Sequence, residues 1–110
     1  MAKSNNPLEI QKQANKIIDN FNTKKFTEKM NVSYFPEFKG KYLYLNRVEE
    51  TQISPVARLE YTGNMEEWEF AIFKWSSEKY DPDEWFFPGS DLADGTIEGA
   101  MEAGLEAYPV

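Results

Sequence analysis

Six residues have the types and spacing to build a contact site: Tyr42, Tyr44, Arg58, Glu60, Phe73 and Trp75. They fall in segments where apolar and polar residues alternate, the period of a β-strand, so residues two apart share a sheet face. Arg58, Glu60, Phe73 and Trp75 are expected together on one face. The pattern leaves open whether Tyr42 and Tyr44, or Leu43 and Leu45, share it. Rings rimmed by an arginine and a glutamate suit a protein partner or a small ligand. Such a patch would stay bare only if the loops at 76–95 did not fold over it.

Two sets of carboxylates are the other candidates. Asp81, Asp83, Glu84, Asp91 and Asp94 surround the turn signal Pro88-Gly89. Hard cations take oxygen clusters, but an EF-hand loop is excluded, because Trp85 stands where the third oxygen ligand belongs and Gly89 comes too late. No metal ligand and no cofactor is assigned. Asp91 and Asp94 suit the positive N-terminal end of a following helix. Glu98, Glu102 and Glu106 recur every four residues on one helical face, where like charges repel by a few tenths of a kcal/mol per pair. Either water solvates them, or Lys12 and Lys16 of an earlier helix lie alongside, or a basic partner meets them.

Much chemistry is excluded outright. The 110 residues contain no Cys and no His. There can be no disulfide framework, no thiolate or imidazole metal site and no Ser-His-Asp or Cys-His nucleophile. A carboxylate-pair hydrolase is the familiar hydrolytic chemistry that remains, and nothing marks two acids as a pair. The net charge of −7 does not suit a phosphate backbone, so no nucleic acid is expected. No apolar run approaches the roughly 20 residues of a membrane span, and no signal peptide is apparent. The expectation is a soluble, cytoplasmic protein.

The positioning elements follow from periodicity. Residues 1–6 read as a short flexible polar tail, and residues 7–110 as a single domain. Asn6-Pro7-Leu8-Glu9 carries the signals of a helix start, with Asn6 as cap, and Ile10, Ala14, Ile17, Ile18 and Phe21 keep helical spacing to about Phe21. Strands are predicted around Met30–Tyr34, where Pro36 is expected to stop the run, at Lys41–Val48, at Pro55–Thr62 and at Glu67–Trp75. Trp85-Phe86-Phe87 is a candidate short fifth strand. Thr96 is the expected cap of a last helix whose stripe runs Ile97, Ala100, Met101, Gly104, Leu105 and Tyr108. Gly104 lies on that stripe, which predicts a close approach to the sheet. The fold class is α+β: an N-terminal helix, an antiparallel meander of four or five strands and a C-terminal helix, both helices on one sheet face. Charge is uneven, with net +4 over residues 1–41 and net −11 over 42–110, so opposite charges are expected to meet in the fold.

The runs Pro55–Gly63 and Trp68–Ser76, with Lys79-Tyr80, Phe87-Pro88-Gly89, Gly95–Ala100 and Tyr108, form a pattern. It resembles a group of small uncharacterised prokaryotic proteins, a domain of unknown function, sharing an A-R-L-x-Y-x-G … W-x-F-A hairpin and a G-T-x-E-x-A helix start. The resemblance covers about half the chain, implies no assigned activity and carries no residue role across. The expected function is a non-enzymatic protein-interaction or homodimerising module acting through the aromatic sheet face. A small-ligand-binding domain and a carboxylate-dependent hydrolase are the alternatives.

Overall fold

The computed structural model describes residues 7–26 and 31–109. Helix α1 (Leu8–Lys25) leads into a five-stranded sheet: β1 (Val32–Lys39), β2 (Tyr42–Glu49), β3 (Gln52–Glu60), β4 (Glu69–Lys74) and β5 (Lys79–Asp81). Helix α2 (Ile97–Ala107) closes the chain. The strands pair in chain order and every pairing is antiparallel. The order and the α+β class match expectation. Among the described residues no helix is long and apolar enough to cross a membrane.

Alternation sorts the sheet residues. Leu43, Leu45, Leu59, Ala57, Phe70 and Ile72 are buried on the inner face, with Ala14, Ile18 and Phe21 of α1 and Ile97, Ala100 and Met101 of α2 in the same core. Tyr42 and Tyr44 therefore face outward. Both helices join β1 through Tyr34. Its ring packs edge-on against Phe21 at 5.8 Å, and its hydroxyl donates to the Met101 carbonyl at 2.8 Å. Gly104 makes this possible: a Cβ there would lie 2.6 Å from both the Tyr34 hydroxyl and Val56 Cγ1. The close approach offsets the roughly 1 kcal/mol of helix propensity that glycine forgoes.

Thr96 caps α2 as expected, accepting from the Gly99 N–H at 2.9 Å. Asp94 in turn accepts from the Thr96 hydroxyl at 2.6 Å, which holds its carboxyl below the usual range. Asn6 and Met30 lie outside the described residues; Pro7 stands at the cap position of α1.

Three expectations are corrected. Pro36 does not stop β1, which continues to Lys39. The Tyr34 N–H and C=O both bond the Asn22 side-chain amide, at 2.8 and 2.9 Å, so they point away from β2. Two residues on, Pro36 points its nitrogen the same way and removes no ladder bond. Trp85-Phe86-Phe87 is not a strand; the fifth strand is Lys79–Asp81. Between Pro82 and Pro88 the aromatic run instead sends Phe87 to stack on inner-face Phe70 at 5.9 Å. Finally, Lys12 and Lys16 are exposed, and the cation beside the acidic stripe is Lys25, 3.1 Å from Glu102. Helix α1 runs four residues past its expected end and so brings Lys25 there. This pair and Lys41–Glu60 at 3.2 Å link the basic and acidic portions of the chain.

Candidate functional site

The outer face of the sheet is laid out in cross-strand rows. One row reads Lys39, Tyr42, Glu60, Glu69 across β1 to β4; the next reads Glu37, Tyr44, Arg58, Ala71. Phe73 and Tyr80 are partners across β4 and β5. The small Ala71 ends this row, and Tyr44 and Tyr80 meet with ring centroids 5.3 Å apart. Ala71 is buried, with Arg58, Phe70 and Pro82 beside it.

The rings form a continuous chain. Tyr42 meets Tyr44 at 6.0 Å, Tyr44 meets Tyr80, Tyr80 meets Phe73 at 5.1 Å, and Phe73 meets Trp75 edge-on at 5.0 Å. The Arg58 guanidinium lies over Tyr42 at 4.4 Å and reaches Tyr80 at 5.6 Å, the geometry of a cation–π pair. Partial burial raises the Tyr80 hydroxyl above its ordinary pKa, so it stays a neutral donor. Glu60 pairs with Lys41, and that hydrogen bond raises the Lys41 ammonium.

All six residues expected at a contact site are thus placed in one neighbourhood. Tyr42, Tyr44, Arg58, Glu60 and Phe73 share the outer face. Trp75, one residue past β4 and 52% exposed, sits at its end. Tyr80 and Glu37 belong to the same surface but were not expected there. The three-residue β5 is too short for alternation to register, and Glu37 lies beyond the proline taken as a stop. The rings of the loop at 82–95 pack elsewhere, Trp85 and Phe87 on Phe70, while Pro82 borders the outer face beside Arg58 and Ala71.

The acidic loop has internal partners. Asp81 accepts from the Asp83 N–H at 2.9 Å, and Glu84 pairs with Lys74 at 3.0 Å. That hydrogen bond lowers the Glu84 carboxyl and raises the Lys74 ammonium. Among the described residues no group of three or more acids is arranged to hold a metal ion.

A second feature escaped sequence reasoning. Arg47 alternates with Leu43 and Leu45 and so points inward, where it is 3% exposed. Its Nη2 donates to the Tyr108 carbonyl, and its Nη1 lies 3.4 Å from the Tyr34 hydroxyl. The acidic stripe of α2 puts no cation in that helix's last turn, and Arg47 supplies one to its negative end. Tyr108 is fixed in turn by its hydroxyl, which donates to the Phe73 carbonyl. The two-residue period of β2 was the available signal.

No family model, curated protein or solved structure matches this chain.

Proposed function

We propose that the outer sheet face is a self-association surface, on which a second copy of this chain docks face to face across a two-fold axis. The observation that carries this reading is the continuous ring chain from Tyr42 to Trp75, with Arg58 stacked on it and its rings half-exposed or exposed. Aromatic and arginine side chains are the types enriched where proteins meet.

Charge favours a second copy as the occupant. The chain carries −7 overall. This face sets Lys39, Lys41 and Arg58 against Glu37, Glu60 and Glu69. Two like molecules that repel elsewhere can meet here without net repulsion, and each Arg58 finds the other's acids within a balanced surface. Strands about 4.8 Å apart and residues about 3.4 Å apart give a footprint of roughly 20 by 20 Å. Counted on both partners that is roughly 800 Å², below the range of stable interfaces and within that of weak, transient ones, so a reversible dimer is expected.

Sedimentation equilibrium tests the reading. The wild-type chain should fit a monomer–dimer equilibrium, and Arg58→Glu, which leaves the balance at four net acids per two-fold pair, should sediment as a folded monomer. A wild-type chain that stays monomeric at all accessible concentrations, or an Arg58→Glu variant that dimerises equally well, rejects it.

A further inference from the structure

We propose that the cleft between the C-terminal end of α2 and the start of β3 binds a small monocarboxylate with an apolar body, with Arg47 as the anion receptor. The cleft lies at the end of the sheet and has a volume of about 320 Å³, with Arg47, Ser54, Val56, Trp75 and Tyr108 among its walls. That volume is within the range of small-molecule sites.

Arg47 is the reason to expect an anion. A guanidinium cannot escape burial by losing its proton, so its charge and its donors need partners. Nη2 and Nη1 have theirs in Tyr108 and Tyr34. The Nε–H is buried and has no hydrogen-bond acceptor among the described residues. Its nearest charge is Glu49, whose Oε2 lies 3.4 Å away without hydrogen-bond alignment, on a side chain 47% exposed at the end of β2. Glu49 is thus a loosely held counter-ion at the mouth of the cleft. An incoming carboxylate accepts from Nε–H in line while Glu49 turns into water. A charge-assisted bond then replaces an unaligned ion pair.

The rest of the cleft narrows the ligand class. Ser54 stands directly opposite Arg47 on β3 and offers a hydroxyl on the same wall. Pro55, Ala107 and the Trp75 ring offer apolar surface for a hydrocarbon body. Glu49 and the negative end of α2 disfavour a doubly charged anion such as phosphate. Nε, the one guanidinium nitrogen without an acceptor among the described residues, matches a single carboxylate oxygen.

Phenylacetate is a suitable probe, with phenethylamine as the same body bearing the opposite charge. Trp75 reports binding through its fluorescence and its indole N–H resonance. Phenylacetate should give a saturable change and phenethylamine none. Glu49→Gln removes the competing carboxylate and should tighten phenylacetate by about fivefold, the scale of an exposed ion pair. Arg47→Lys should abolish binding. Because that variant alters a buried group, the exposed Glu49 variant is the decisive one. Absence of saturation in both wild type and Glu49→Gln, equal binding of phenethylamine, or weaker binding by Glu49→Gln overturns the proposal. Trp75 borders both surfaces, so phenylacetate is titrated at a protein concentration where sedimentation shows a single species, and dimerisation is read by sedimentation alone.

Discussion

Arg47 and Arg58 sit on adjacent strands and on opposite faces of one sheet. Arg47 is buried, lies 5.5 Å from the Tyr34 ring centroid and is held by a backbone carbonyl and a phenol. Arg58 is half-exposed and is held by the faces of two rings. The same side chain is a structural tie on one side and a surface contact on the other. Both guanidiniums lie over a tyrosine ring; what differs is the hydrogen-bond acceptors that the inner face adds. Burial makes the inner arrangement costly to disturb, while solvent makes the outer one cheap to disturb and easy to reuse.

Breaking the inner tie should have the largest effect. Arg47→Met removes the donor to the Tyr108 carbonyl and the cation at the end of α2. A loss of about 3 kcal/mol is expected, read as a shifted denaturant midpoint. Next comes a pH experiment on the inner face. Burial pushes the Tyr34 phenol up to about 12, whereas an unfolded tyrosine ionises near 10.0. Between those values the unfolded chain releases a proton that the folded chain keeps. The Tyr34 contribution is therefore constant below pH 10 and falls as pH rises toward 12, by a total of roughly 3 kcal/mol. Tyr34→Phe should flatten that alkaline decline, and urea midpoints across the range would show it. The smallest effect belongs to the outer face. Arg58→Met should cost less than about 1 kcal/mol of folding stability, the scale of an exposed cation–π pair. A cost comparable to that of Arg47→Met would erase the contrast between the two faces.

Much of this layout was legible in the chain. The two-residue period in Leu43, Leu45 and Leu59 against Tyr42, Tyr44 and Arg58 separates the faces, and Thr96 announces the last helix. Which set faces inward was not legible, because leucine and tyrosine both satisfy an apolar pattern; helix packing decides it. Arg47 was legible by period but was passed over, because a charge in a core position needs partners far away in sequence, here Tyr108. The contributions of Tyr80 and Ala71 depend on strand register, which alternation within one strand does not reveal. The run Trp85–Phe87 misled because three aromatics in a row have strand propensity, while the prolines on either side favour a loop whose rings fold back over Phe70.

The Asn22 amide on β1 has a consequence for how molecules of this kind stay apart. It occupies the outward N–H and C=O of Tyr34, as a neighbouring strand would, and Pro36 removes the next outward donor. At the far side, β5 offers only three residues. A stray β-strand therefore finds few free hydrogen-bonding groups to template on at either margin. Ribbon-like growth is blocked at the same place where the chain first enters the sheet.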